Sequence, residues 1–161
     1  MKRVVLLLSL MGVMVALSVT AALAITDYGT TGDDILNGTD DQDTLYGLPG
    51  DDTIKGFDSV DYLYGGADND TVRGQADPDV MFLGAGKDEG YGGGGSDEIT
   101  GGQGSDTIFA GGGNDIVYVQ DGVEGNDFVL CGPGEDLDIY VDSEDEYDRT
   151  TCEDFHTDPP A

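Results

Sequence analysis

The sequence predicts an all-β solenoid, a chain wound into two parallel sheets at 18 residues per turn, and three observations carry that expectation. From Gly29 to Tyr118 the chain divides into ten consecutive blocks of nine without insertion or deletion. The sixth position of every block is Asp: Asp34, Asp43, Asp52, Asp61, Asp70, Asp79, Asp88, Asp97, Asp106 and Asp115. The eighth position is apolar in nine of the ten blocks, running Leu36, Leu45, Ile54, Leu63, Val72, Met81, Gly90, Ile99, Ile108 and Val117, with Gly90 the exception.

Each block reads as a Gly-rich turn that ends in Asp, followed by three extended residues. Glycine favours the first and fourth positions, most clearly in Gly92-Gly93-Gly94-Gly95-Ser96-Asp97 and Gly101-Gly102-Gln103-Gly104-Ser105-Asp106. In three extended residues the middle side chain takes one face and its neighbours the other, so position 8 points inward and positions 7 and 9 outward. A strand this short is not stable by itself. If two blocks complete a turn, strands two blocks apart stack in parallel about 4.8 Å apart, and five turns give a flattened cylinder roughly 24 Å long. Gly90 is then expected to leave a hole in the apolar stack, and so a soft spot.

The turns carry the chemistry. Glycines permit a tight, partly positive-φ backbone and leave carbonyl oxygens unshielded, while the terminal Asp offers a carboxylate. Calcium takes six to eight oxygens at about 2.3 to 2.6 Å and accepts carboxylates mixed with backbone carbonyls. Stacking Asp97 over Asp115, or Asp88 over Asp106, brings like charges close together, which is unfavourable unless a cation lies between them. The alternative is that Asp only closes an Asx-turn and keeps the surface soluble. Turn chemistry alone, however, accepts Asn or Ser, and neither occurs at this position in ten repeats.

Two further features place the chain. Met1, Lys2 and Arg3 precede an apolar run from Val4 to about Val19 and the small-x-small stretch Ala22-Leu23-Ala24, which reads as a secretory signal peptide, residues 1–24, cut after Ala24. An uncleaved anchor is the alternative, since about 20 apolar residues can span a bilayer. After cleavage no membrane span is expected. The remaining residues, 25–161, carry 34 acids against Lys55, Arg73, Lys87 and Arg149. Such a surface repels phosphate backbones and anionic membranes and attracts divalent cations, so nucleic acid is excluded as a partner. Composition alone suggests disorder, and the order of the repeats overturns that suggestion.

The pattern G-G-x-G-x-D-x-U-x, with U large and apolar, resembles the RTX (repeats-in-toxin, or haemolysin-type) calcium-binding repeat of bacterial exported proteins. Its best copies are Gly92 to Thr100 and Gly101 to Phe109, with Leu83 to Tyr91 and Ala110 to Tyr118 differing at the first position. The resemblance implies a right-handed parallel β-roll with calcium held between turns by the sixth-position Asp and by carbonyls of the Gly-rich positions. Carried over, the ligands are Asp70, Asp79, Asp88, Asp97, Asp106, Asp115 and Asp127, with carbonyls near Gly84, Gly86, Gly93, Gly95, Gly102, Gly104, Gly111 and Gly113. Asp34, Asp43, Asp52, Asp61 and Asp136 are weaker candidates. Repeats two, four, five and six place Asp41, Ser59, Asp68 and Asp77 where the fourth Gly belongs, so the C-terminal half is the more regular.

After Tyr118 the register slips by Val119 to Asp121 and resumes as Gly122 to Leu130, and a partial copy, Cys131 to Asp136, opens the terminal segment. The expected division is a signal peptide, a calcium-binding roll over 25–130, and a C-terminal cap over 131–161. Cys131 and Cys152, an even number in an exported chain, are expected to form a disulfide that pins the cap to the last turn. The one histidine, His156, has no nucleophile or zinc-type cluster in a recognisable context, so no enzymatic activity is expected. Outward ninth positions align Tyr46, Tyr64, Phe82, Thr100 and Tyr118 on one sheet, and Asn37, Lys55, Arg73, Tyr91 and Phe109 on the other. The aromatic row either stabilises parallel strands by cross-strand stacking or offers a face to a glycan or cell-surface partner. The functional expectation is a calcium-dependent structural or interaction module that folds after export, with adhesion through the aromatic face as the alternative.

Overall fold

The computed structural model describes residues 23–119, 126–136, 138–141, 145–147, 152 and 155–156. All of the expected leader except Leu23 and Ala24 lies outside these residues, as do Asp142 to Glu144 and Asp148 of the terminal segment. No helix among the described residues is long and apolar enough to cross a membrane.

Successive strands alternate between two parallel sheets, as the nine-residue period requires. One sheet has the order β1 (Thr26–Tyr28), β3 (Thr44–Pro49), β5 (Tyr62–Ala67), β7 (Val80–Gly86), β9 (Glu98–Gly104), β11 (Ile116–Tyr118), β13 (Asp138–Tyr140), β15 (Phe155–His156). The other has β2 (Ile35–Asn37), β4 (Thr53–Phe57), β6 (Thr71–Ala76), β8 (Glu89–Gly94), β10 (Thr107–Gly112), β12 (Phe128–Leu130), β14 (Glu146–Tyr147). Leu45 pairs with Leu63, Leu63 with Met81 and Met81 with Ile99, each 18 residues on. Past Tyr118 the offset widens, so that the Asp106 amide reaches Asp127, 21 residues on, and the sheets continue through β13, β14 and β15.

The core takes in more of each repeat than three-residue strands suggest. From β3 to β10 the strands run on through the first positions of the following block, and position 1 faces inward beside position 8. Leu36, Leu45, Ile54, Leu63, Val72, Met81, Ile99, Ile108, Val117, Val129 and Ile139 form the buried stack, joined by the first-position residues Leu83, Ala110, Val119, Cys131 and Val141. The hole expected at Gly90 is filled: a Cβ built there would lie 2.9 Å from Leu83 Cδ1, because Leu83 replaces the usual first-position glycine of that repeat. The seventh repeat has exchanged its large and small inward residues.

Cys131 and Cys152 form the expected disulfide, with Cα atoms 5.1 Å apart, and both are buried in the core. Outside the sheets, Tyr28, Tyr46, Tyr64 and Phe82 stack at centroid spacings of 4.8, 4.6 and 5.2 Å, and Tyr118 stacks on Tyr140 at 4.8 Å. Interplanar angles in the first row are 4–8°, so the ring faces are turned to one another and the edges to solvent. On the second sheet Tyr91 stacks on Phe109, with the Arg73 guanidinium 4.7 Å over the Tyr91 ring.

Candidate metal centre

The sixth-position Asp ends each turn with its side chain directed inward. From Asp43 to Asp115, and again at Asp127 and Asp136, these residues are at most 3% exposed. One carboxylate oxygen has a fixed task. Oδ1 of Asp52 accepts the backbone N–H of Asp34 at 2.8 Å, and Asp61, Asp70, Asp79, Asp88, Asp97 and Asp115 accept in the same way from the Asp 18 residues earlier, at 2.8–2.9 Å. The ladder continues beyond the register slip, with Asp106 donating to Asp127 and Asp115 to Asp136. Its last acceptor among the described residues is Asp145, whose Oδ1 accepts from Asp127 at 3.1 Å. Asp145 is not among the ligands expected from the repeat pattern, although its spacing of 18 from Asp127 marks it. The carbonyls of the sixth-position Asp residues from Asp34 to Asp106, and of Asp127, also accept an N–H from the next turn, as from Thr53 to Asp34 and from Glu98 to Asp79.

The second oxygen is different. In Asp52, Asp61, Asp70, Asp79, Asp88, Asp97 and Asp115, Oδ2 is buried and accepts no hydrogen bond. An ionised carboxylate in that state is strongly disfavoured. Burial accordingly pushes the carboxyls of Asp61, Asp97 and Asp115 up to about 6, Asp70 to about 7 and Asp79 to about 8. Neighbouring carboxylates add to the effect, Asp88 and Asp52 on Asp70, Asp97 and Asp61 on Asp79. Asp52 and Asp88 are raised for the same leading reason.

Backbone oxygens are stacked beside this row. Positions 2 and 4 of the turns take positive φ, as at Gly84 (+125°), Gly93 (+113°), Gly102 (+108°), Gly104 (+123°), Gly111 (+115°) and Gly113 (+143°). A Cβ on Gly104 would collide with the Gly86 carbonyl oxygen, and one on Gly113 with that of Gly95, so like carbonyls line up from turn to turn. The first-position glycine serves another need: a Cβ there would press on the Asp carboxylate of its own repeat, as at Gly92 on Asp97 Oδ2 and Gly101 on Asp106 Oδ2. Phe57, Ser59, Asp68, Gln75 and Asp77 also take positive φ without being glycine, at 67–91° where the glycines of repeats seven to ten take 108–158°. Repeats four to six, irregular in sequence, thus keep the positive-φ positions of the later ones.

Repeats one and two do not. In them the second-position residue is Thr, and Thr30 gives both its N–H (2.6 Å) and its Oγ1–H (2.8 Å) to Asp34 Oδ2. Thr39 does the same for Asp43 Oδ2, with its Oγ1 at 3.0 Å, and Asp43 Oδ1 accepts from Ile25.

The donor set fits a hard cation and little else. Among the described residues no group of three or more His, Cys, Asp or Glu side chains closes on a single point, so a cation here needs backbone carbonyls as well as carboxylates. An all-oxygen mixture of that kind is calcium's preference, while thiolate- and imidazole-seeking metals find no ligands in the turns. A second polar ladder ties the turns from outside, with Asp51 N–H donating to Asp33, Asn69 to Asp51 and Lys87 to Asn69.

The family model of the RTX calcium-binding nonapeptide repeat (4 copies) matches residues 28–56, 55–89 and 91–129. Neither the curated proteins nor the solved structures gave a match.

Proposed function

From the premise that this chain belongs to the RTX calcium-binding nonapeptide repeat family, we propose that it is an exported module whose fold depends on calcium held in the Asp turns. As a member of that family it is a calcium-binding structural module, not an enzyme. The ligands we assign are the carboxylates of Asp70, Asp79, Asp88, Asp97, Asp106, Asp115 and Asp127, with carbonyls of the positive-φ positions from Gly84 to Gly113. Asp52 and Asp61 join them, because their turns also take positive φ at positions 2 and 4 and bury the same oxygen.

The observation that carries this reading is the repeated Oδ2, buried and without a donor, beside a column of carbonyl oxygens. Calcium, when bound, supplies the positive charge that such oxygens lack. The chain's own part is to hold Oδ1 on the amide of the turn before, which fixes the carboxylate plane, and to keep the carbonyls in register through positive φ. Since the same atoms link one turn to the next, binding energy becomes folding energy. Export to a calcium-rich exterior is supported by the apolar N-terminal run and by the family, and dissociation constants of the extracellular kind, about 10⁻⁴ to 10⁻³ M, suit such a switch. For the aromatic row a strand-stacking role is favoured over glycan docking, because the rings present edges rather than faces.

The test is far-ultraviolet circular dichroism with excess chelator and with millimolar calcium. A gain of β signal on adding calcium is expected. An identical spectrum in both would remove the coupling of folding to calcium.

A further inference from the structure

We infer that the first two turns form a metal-independent end cap, in which Thr30 and Thr39 do for Asp34 and Asp43 what calcium does for the later carboxylates, so that the calcium-binding series begins at Asp52. The inference rests on the calcium reading above and divides its sites.

Four observations separate these turns from the rest. Asp34 and Asp43 have Oδ2 hydrogen-bonded within their own turn, through one backbone N–H and one hydroxyl of the same Thr. From Asp52 to Asp97 every sixth-position Oδ2 is buried with no donor. The position that holds Thr here is Leu48, Phe57, Gly66, Gln75, Gly84, Gly93, Gly102 and Gly111 in the eight repeats that follow, none of them with a hydroxyl. The backbone differs as well: β1 and β2 stop at Tyr28 and Asn37, and the second and fourth positions that follow them are not among the positive-φ residues, whereas Leu48 and Gly50 in the third repeat are.

The physical consequence follows from the donor count. A carboxylate that already takes two hydrogen bonds on Oδ2 is compensated, and a cation has to displace both to reach it. Left-handed turns that stack carbonyls begin only with the third repeat, so the first two also lack the second half of the donor set. Among the described residues β1 and β2 are the edge strands of the two sheets, the place where a solenoid's repeats depart from the internal pattern. Asp27, paired with Leu45, stands at the inward strand position that is apolar in the next turn, which marks the same end.

The experiment compares Asp43→Asn with Asp88→Asn in the full chain, counting bound calcium by equilibrium dialysis at saturation. Asp43→Asn is expected to keep the wild-type ion count, and Asp88→Asn to lose at least one ion. Loss of an ion in Asp43→Asn overturns the inference. In case Asp88→Asn does not fold, the calcium-folded wild-type chain is labelled with carboxyl-¹³C aspartate and its calcium is exchanged for strontium while NMR is recorded. Asp34 and Asp43 carboxyl signals that stay in place while those of Asp52 to Asp97 move support the cap, and signals from all that move together refute it. A wild-type chain that binds no calcium would instead refute the calcium reading itself, so the two failures are distinct.

Discussion

At the eighth position of the seventh repeat the side chain is a single hydrogen, and the space it leaves is occupied by Leu83 from the first position of the same block. This compensation defines a double-mutant cycle. Gly90→Leu alone overpacks against Leu83 and is expected to cost about 1–3 kcal/mol. Leu83→Gly alone opens a cavity, with a cost of the order of the 2–5 kcal/mol of large-to-small core changes. The double variant restores the pattern of the other repeats and is expected to regain most of the loss in thermal unfolding at saturating calcium, and additive losses would contradict the packing described. Glycines likewise divide by position. Gly104→Ala puts a Cβ onto the Gly86 carbonyl at φ +123° and is expected to cost more than about 2 kcal/mol, whereas Gly112→Ala, whose nearest neighbour is 3.6 Å away, should stay within about 0.5 kcal/mol. Composition names both simply as glycine, which is why the sequence could assign turn glycines as a class but not separate the cramped first position from the positive-φ second and fourth.

At the scale of the stacked turn, the buried carboxylates make stability depend on pH with a definite sign. Their folded-state pKa values lie above the unfolded ones, at about 6 for Asp61, Asp97 and Asp115, 7 for Asp70 and 8 for Asp79. The metal-free fold therefore binds more protons than the unfolded chain, and its stability is retained below about pH 4 and lost as pH rises through 6 to 8. In chelator, acidification from pH 8 to about 5 is expected to increase the β signal, and a signal that instead grew with pH would contradict the burial of these oxygens. With calcium present the dependence reverses, since protons compete with the cation for the same carboxylates. The strand positions, the Asp ladder and the inward eighth residue were all legible because each repeats at a fixed interval. The difference between the first two turns and the rest was not, because it rests on which atoms Thr30 and Thr39 reach, and Thr is also the residue expected in a polar turn. The sequence drew its line between irregular and regular halves, while the backbone draws it between the second and third repeats.

For the molecule as a whole, a net charge of −28 on a narrow solenoid opposes compaction, and few core side chains per turn offset it. Two features act against that repulsion. The disulfide closes 21 residues across the C-terminal turns, and its reduction is expected to lower stability by about 3 kcal/mol on the chain-entropy estimate, read as a fall in the unfolding midpoint at fixed calcium. Cations between the turns are the other on the proposed reading, which places them from the third repeat onward. The extent of the solenoid was only partly legible, since unequal spacings after Tyr118 broke the nine-residue count and concealed that β13, β14 and β15 prolong the same two sheets. The central claim is that buried carboxylates without protein donors are completed by calcium, and the most direct measurement is calorimetric calcium titration of the oxidised chain, with circular dichroism on the same samples. Cooperative binding of several ions that tracks a coil-to-β transition is the result expected, and a chain already folded in chelator that takes up no calcium would contradict it.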